Sequence, residues 1–246
     1  MKNLNYSVLF ERANLRERKD VPSWFLNEFE TFSTKVSDPT FPCYFGMTAF
    51  KRDELRYSYV PNQDWSSLPG TLVAFLQLMQ ERPLVRRGLF VFVEPEKEER
   101  TLSYYRDYFW NLLQFLHEHD EYPWPKHIPT NPDHHLWEFS FGGEAIFAFG
   151  NAPAYKQRKT RQLGNSLVIG FQPRIIFEGL EGNRPKGAYS RQTVRERVEK
   201  WDGLPKHPNI SHYGDLNHHE WKQYFIGDDC KPIEGSCPFQ IKEQEK

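Results

Sequence analysis

The histidines of this sequence, which could bind a metal, fall into two groups. The first lies near the middle of the chain and contains His117, His119, His127, His134 and His135. The second lies near the C-terminus and contains His207, His212, His218 and His219. Imidazole is the commonest side-chain metal ligand and also binds haem iron. Both groups are therefore candidate ligands, and the alternative is that most of them are exposed polar residues.

Two further features point to a ligand inside an apolar environment. His117 follows Leu113 by four residues on a predicted helix, so it borders an apolar face as either an iron ligand or a hydrogen-bonded core residue. Cys43 lies between Pro42 and a run of aromatic residues that would keep it from water. Such a cysteine is either a thiolate ligand to haem iron or an inert buried side chain.

Arginines near two predicted strand ends could bind an anion. Arg158 and Arg161 belong to a basic segment, 156–161, and Arg174 follows the next strand. An arginine can clamp a carboxylate with two parallel hydrogen bonds. Haem propionates or an amino-acid carboxylate would suit these side chains, whereas the alternative is a solvated charged loop.

Several common catalytic motifs are missing from the sequence. It contains no glycine-rich phosphate loop, no dinucleotide fingerprint, no HExxH and no GxSxG. A standard nucleotide-dependent or zinc-dependent enzyme is therefore disfavoured. Three cysteines, an odd number without zinc-type spacing, indicate a reduced compartment and predict a cytoplasmic protein: Cys43, Cys230 and Cys237.

Charge and hydropathy argue against nucleic acid and membranes as partners. The net charge is −1, so no global attraction to polyanions is expected. The sequence has no apolar stretch long enough to span a bilayer, and its start lacks the apolar run of a signal peptide.

Hydrophobic periodicity predicts the elements that must position these side chains. Helices are predicted over 21–36, 70–81, 102–119 and 190–201, the last with Ser190 as its N-cap. Strands are predicted over 55–59, 89–93, 137–141, 145–149, 166–171 and, after a kink at Pro173, 175–177. The segment after Asp38 is predicted to be turn or extended structure because it holds two prolines.

The order of these elements predicts the fold class. Gly142 and Gly143 between two apolar runs indicate a tight hairpin. Strands and helices do not alternate strictly, which favours an α+β fold with a mainly antiparallel sheet and packed helices. We expect one domain over residues 21–246, preceded by an arm over residues 1–20.

Several segments, taken in order, resemble the YqcI/YcgG family. The similarity extends from about residue 20 to residue 240. It is carried by Phe41-Pro42-Cys43, Leu116-His117-Glu118, the segment 137–143, Asn151-Ala152-Pro153, Phe171-Gln172-Pro173-Arg174, His207-Pro208, Tyr213-Gly214-Asp215, the segment 220–224 and Cys237-Pro238-Phe239.

This resemblance implies an activity and a cofactor. The family includes haem-dependent monooxygenases that N-hydroxylate a guanidino or amino group of small amino-acid-derived substrates, together with members of no known activity. By this resemblance, His207 or His117 binds haem iron and Cys43 lines or ligates the site. Arg158, Arg161 and Arg174 hold haem propionates or the substrate carboxylate. An external electron donor is required, because the sequence has no flavin or NAD motif.

The sequence departs from the oxygenase-like branch at two places. Ala152-Pro153 stands where that branch has His-Pro, and Gln172-Pro173-Arg174 stands where it has Asn-Pro-His. Two alternatives therefore remain. One is a non-haem metal enzyme that uses C-terminal histidines with Asp215 or Glu220. The other is a non-catalytic protein that binds a small molecule or a partner.

Overall fold

A computed structural model describes residues 8–15, 17–83, 85–180 and 184–242. The α-helices in these ranges are α1 (Arg12–Leu15), α2 (Ser23–Ser37), α3 (Tyr44–Lys51), α4 (Leu68–Glu81), α5 (Leu102–Glu118) and α6 (Pro185–Asp202). The strands are β1 (Arg56–Val60), β2 (Leu89–Val93), β3 (Ser140–Phe141), β4 (Glu144–Asn151) and β5 (Val168–Pro173). Short 3-10 helices cover Lys159–Arg161, Arg174–Phe177 and Glu220–Gln223.

The five strands form one sheet in the order β1-β2-β5-β4-β3. Strands β1 and β2 are parallel, whereas the other three neighbouring pairs are antiparallel. The α+β class with a mainly antiparallel sheet is therefore confirmed. None of the helices in the described ranges has the length and apolar character needed to cross a bilayer.

The sheet separates two hydrophobic clusters. In β2, Leu89, Val91 and Val93 pack with α4 and α5, whereas Phe90 and Phe92 pack with α2 and α3. This alternation follows from the two-residue period of a strand. All five residues of β2 are buried because both faces of the sheet are covered.

The α5 helix and the hairpin were predicted from local sequence, and both are present. Thr101 caps α5 by accepting a hydrogen bond from the Tyr104 N–H, and the apolar face of this helix lies in the core. Gly142 and Gly143 connect β3 to β4 with φ angles of 63° and 76°. Glycine suits such positive φ values because it has no Cβ. At Gly142 a Cβ would also lie 2.7 Å from the Leu76 side chain.

One helix was missed and two local predictions were wrong. The turn predicted after Asp38 is present, but α3 begins at Tyr44, where no helix was predicted, and Cys43 caps it by accepting a hydrogen bond from the Gly46 N–H. Residues 175–177 form a 3-10 helix because the β4–β5 ladder ends at Pro173. Ser190 is not an N-cap, since α6 begins at Pro185 and Ser190 is buried within it.

Candidate active site

A cavity of about 880 Å³ lies on the face of the sheet that carries Phe90, Phe147 and Phe149. It is bounded by β2, β4 and β5, by residues of α2 and α3, and by one face of α6. This volume falls within the range of about 300–1,000 Å³ that is typical of small-molecule sites. The fold thus brings residues from most of the chain around one cavity.

The sheet side of this cavity is aromatic. The Phe147 and Phe149 rings stack with centroids 5.7 Å apart, and Phe90 meets Phe149 edge to face at 6.0 Å. Gly170 lies beneath the Phe149 ring, where a Cβ would come within 2.3 Å of that ring. The missing side chain therefore lets an aromatic surface lie close to the sheet.

The lining carries more positive than negative charge. It includes six arginines, namely Arg86, Arg158, Arg161, Arg174, Arg191 and Arg195. It includes three acidic residues, namely Glu178, Asp202 and Glu220. Such a cavity favours a ligand that has at least one anionic group.

One face of α6 contributes to the lining. Its lining residues recur at helical spacing and are Gly187, Ser190, Arg191, Val194, Arg195, Val198 and Asp202. Residues three and four apart share one side of a helix. The prediction from sequence gave a helix over 190–201 and assigned it no site residue. The signal that it missed is the apolar stripe formed by Val194 and Val198 beside two arginines.

Two buried carboxylates share one guanidinium at the edge of the cavity. Arg174 donates hydrogen bonds to both carboxylate oxygens of Glu138, and its Nη2 also lies 3.0 Å from Glu220 Oε1. The other oxygen of Glu220 accepts a hydrogen bond from Gln223 Nε2 at 3.0 Å. The Tyr213 ring lies 4.0 Å below the guanidinium. We call Glu138, Arg174 and Glu220 the carboxylate cluster.

Burial controls the protonation of the carboxylate cluster. It raises the pKa of Glu138 and of Glu220 above the ordinary value, although the Arg174 cation opposes this rise for both groups. Because one guanidinium faces two carboxyl groups, the cluster carries one negative charge when both are ionised. A raised pKa allows one of the two carboxyl groups to hold a proton near neutral pH.

Cys43 lines the cavity, where it is half-buried. Its sulfur caps α3, and burial raises the pKa of its thiol above the ordinary value. The free side chain is therefore a neutral thiol. To bind iron as a thiolate, it would have to release that proton.

Arg158 and Arg161 both line the cavity, but each donates hydrogen bonds to backbone carbonyls. The Arg158 guanidinium binds carbonyl oxygens of Pro205, Gly227 and Asp229, and the residue is only 1% exposed. The Arg161 guanidinium binds carbonyl oxygens of Gly150 and Gln223. These contacts fix the C-terminal segment against β4.

The two histidines predicted as iron ligands, His117 and His207, are not among the described residues that line the cavity. His117 Nε2 accepts a hydrogen bond from the Lys242 N–H at 3.0 Å, and its ring packs against Trp124 and Phe239. His207 is fully buried; its Nδ1 accepts a hydrogen bond from the Asn209 N–H, and its Nε2 has no hydrogen-bond partner among the described residues. Burial is the main cause that lowers the pKa of each to about 4.

His212, one of the C-terminal histidines named from sequence as candidate ligands, does line the cavity. It lies beside Asp215, with 3.9 Å between Nδ1 and a carboxylate oxygen, and His218 lies 3.8 Å from the same oxygen. Even so, the described residues contain no group of three or more His, Cys, Asp and Glu side chains that could hold a metal ion. Their arrangement therefore gives no support to a non-haem metal centre.

The burial of His117 makes a prediction for acid stability. Its imidazole is neutral in the folded protein, because its pKa is lowered from the ordinary value of 6.5 to about 4. Stability is therefore lost as pH falls from about 6.5 towards 4, because the unfolded chain takes up the proton first. Between pH 7 and pH 5, we expect His117→Gln to lose about 2 kcal/mol less free energy of unfolding than the wild type. Urea titrations at both pH values measure this difference.

His127→Gln is the matched control, because His127 is exposed. The control should lose as much stability as the wild type between the two pH values. Equal losses for His117→Gln and His127→Gln would contradict a buried neutral imidazole at position 117.

Comparison with known proteins identifies the family. The YqcI/YcgG family model matches residues 32–240. The chain belongs to the YqcI/YcgG family. Two relatives from Bacillus subtilis (strain 168) are the uncharacterized proteins YcgG, 33% identical over 91% of both chains, and YqcI, 32% identical over 94% of both.

A third relative of this YqcI/YcgG chain carries an enzyme name. It is the putative N(omega)-hydroxy-L-arginine synthase DcsA of Streptomyces lavendulae. The two are 27% identical over 91% of this chain and 86% of DcsA. No solved structure matches the chain.

Three of the segments that resemble the YqcI/YcgG family meet in the carboxylate cluster. Glu138 comes from the segment before the hairpin, Arg174 from the end of β5, and Glu220 from a 3-10 helix near the C-terminus. These segments are far apart in the chain, so a shared cluster was not evident from their sequences.

The cavity can be tested against the haem that the family resemblance implies. Haem requires apolar walls, cations near its propionates, and an imidazole or thiolate for its iron. The Phe147–Phe149 stack supplies an aromatic wall, and the lining arginines supply cations. Among the lining residues that the structure describes, Cys43 supplies a thiol and His212 an imidazole that could bind iron. The lining therefore fits a haem, with different ligand candidates from His117 and His207.

Proposed function

We propose that this protein is a haem-dependent monooxygenase that N-hydroxylates a guanidino or amino group of a small amino-acid-derived substrate. The observation that carries the proposal is a large aromatic and arginine-lined cavity in a chain related to an enzyme named for N-hydroxyarginine synthesis. Bound haem would supply the activation of molecular oxygen. Electrons would come from an external donor.

The residues of the chain would have distinct functions in this reaction. Cys43 or His212 would hold the iron, and lining arginines would bind the propionates. The Phe147–Phe149 wall would exclude water from the reacting groups. The carboxylate cluster would hold a proton at the edge of the cavity, because burial raises the pKa of Glu138 and Glu220.

The first test is haem binding by untagged protein that is expressed with a haem precursor. We expect a Soret absorption band that co-purifies with the protein in stoichiometric amount. Replacing the iron ligand should shift or abolish that band, so the variants are Cys43→Ser and His212→Gln, with His117→Gln as the control. Absence of the band after hemin is added to wild-type protein would overturn the haem assignment.

The second test is product formation by the haem-loaded protein. Reductant, oxygen and L-arginine or another amino-acid-derived amine should yield a product with one added oxygen on nitrogen, detected by mass spectrometry. Haem binding without such a product from any amine in the panel would contradict the N-hydroxylase proposal. It would instead favour a haem-binding protein that does not hydroxylate nitrogen.

A further inference from the structure

Arg195 differs from the other five arginines of the cavity. Each of those five donates hydrogen bonds to a carbonyl or a carboxylate: Arg86 to Glu178, Arg158 to Pro205, Gly227 and Asp229, Arg161 to Gly150 and Gln223, Arg174 to the two glutamates, and Arg191 to Leu180. Arg195 has neither a hydrogen bond nor an ion pair with any residue that the structure describes. None of its five donors is therefore used by a described residue, which leaves them to bind a ligand in the cavity.

The position of Arg195 on α6 adds a second reason to expect an anion. It lies one helical turn after Arg191, and both line the cavity beside Val194 and Val198. Like charges at this spacing destabilise a helix. Partial burial among these side chains also lowers the pKa of Arg195, so its charged form is poorly solvated. An anion bound between α6 and the sheet would relieve both costs.

The same cavity has a negative region elsewhere in its lining. Glu220 lines it together with Arg174, and Glu138 lies behind them. A cation bound beside the cluster would favour the ionised form of both carboxyl groups, and in that form the cluster has one more negative charge than positive. A ligand that carries a carboxylate and a basic group could bind Arg195 with the first and the carboxylate cluster with the second. A ligand with only one of these groups could bind at only one of the two places.

We infer that Arg195 is a specificity-determining residue of the cavity: it binds the carboxylate of the substrate, while the carboxylate cluster faces the basic group of that substrate. This inference rests on the proposed function only in taking the cavity as the substrate site. It does not require turnover. Arginine suits the assignment because its planar guanidinium can donate two parallel hydrogen bonds to a carboxylate.

Binding to the purified protein tests the inference without catalysis. The probes are L-arginine, agmatine, which lacks the carboxylate, and L-citrulline, which lacks the positive charge. Calorimetry with the wild type should give the lowest dissociation constant for L-arginine, by roughly tenfold or more over each analogue, since a hydrogen bond to a charged group contributes about 1.5–3 kcal/mol.

The decisive variant is Arg195→Ala, with Lys186→Ala as the matched control. Lys186 is an exposed cation of the same helix that does not line the cavity. Arg195→Ala should bind L-arginine and agmatine equally while it keeps its preference for L-arginine over citrulline. Lys186→Ala should behave as the wild type does, and Arg195→Lys should recover part of the preference.

Three outcomes would overturn the inference. One is that Arg195→Ala still prefers L-arginine to agmatine. Another is that the wild type binds none of the three probes. The third is that Arg195→Ala weakens haem binding but leaves the preference unchanged, which would assign Arg195 to a propionate. Failure of N-hydroxylation with the preference intact would count against the proposed function alone.

Discussion

Replacing Arg174 with methionine is expected to lower the free energy of unfolding by about 3–5 kcal/mol. This is the cost found when one partner of a buried ion pair is removed and the other is left without compensation. Removing the Arg174 guanidinium leaves two buried carboxylates without their cation. The Glu138 side chain is fully buried and that of Glu220 is 5% exposed. Chemical denaturation at pH 8 measures the effect.

The charge of Glu138 should account for much of this loss. In the double variant Arg174→Met with Glu138→Gln, only Glu220 remains as an unpaired carboxylate. We expect the double variant to be more stable than the single Arg174→Met variant. The double-mutant cycle should give a coupling of at least about 1 kcal/mol, because the two residues are in direct contact.

The defect of Arg174→Met should also depend on pH. Burial raises the pKa of both glutamates above 4.5, so their folded-state ionisation costs stability as pH rises from about 4.5 through the raised values. Without the Arg174 cation this cost should increase. We therefore expect the variant to be closer to wild type at pH 5 than at pH 8.

Arg86→Met provides the control for removing a cavity arginine. Arg86 contacts the Phe45 ring and a carbonyl oxygen 3.4 Å away, and it forms no ion pair with a buried carboxylate of the described residues. The Arg86→Met variant should lose less than about 1 kcal/mol of the free energy of unfolding. Equal losses from Arg86→Met and Arg174→Met at pH 8, with no relief at pH 5, would show that buried charge does not explain the effect.

The elements that were predicted from sequence are those whose structure depends on residues close to one another along the chain. The α5 helix was evident because apolar residues recur every three or four positions and Thr101 stands at its cap. The hairpin was evident because Gly142 and Gly143 both tolerate positive φ. In each case the deciding interactions lie within a few residues of one another.

The α3 helix was missed because its local signals point the other way. Pro42 and the aromatic residues around it favour extended structure, and cysteine is an unusual N-cap. The sulfur of Cys43 nevertheless accepts the Gly46 N–H, and the helix packs against α2 in the second cluster. Tertiary packing therefore decides the structure of this segment.

Sequence reasoning identified part of the candidate site but not the partners of its residues. Cys43, Arg158, Arg161 and Arg174 do line one cavity. The carboxylates that pair with Arg174 are 36 and 46 residues away, and the backbone group that binds His117 is 125 residues away. A period of two or 3.6 residues carries no information about such contacts.

Arg195 was not predicted from sequence as a site residue, although it lines the cavity. It lies on a helix with many charges, where an arginine is ordinarily solvated. Its difference from neighbouring cations becomes evident only when the cavity and the hydrogen bonds of the other arginines are known. Arg158, in contrast, was expected to bind a ligand, although its hydrogen bonds are already directed to the protein backbone.

Arg158→Met is accordingly expected to destabilise the fold by about 2–4 kcal/mol. The variant removes the donors that satisfy the carbonyl groups of Pro205, Gly227 and Asp229, and unpaired buried polar groups are costly. The loss should be concentrated in the segment 226–230, where hydrogen exchange should become faster. Denaturation and exchange measurements together test both expectations.

Two other substitutions test whether the effect comes from the guanidinium of Arg158, from its positive charge, or from the basic segment in general. Arg158→Lys keeps the charge but not the planar set of donors, so its loss should be intermediate. Lys156→Met removes an exposed cation of the same segment, whose pair with Glu99 lies at the surface, and should change stability by less than about 0.5 kcal/mol. If Arg158→Met instead kept wild-type stability and lost only ligand binding, Arg158 would be a binding residue. Because its bonds to the backbone span three carbonyl groups, we expect the fold to be affected first.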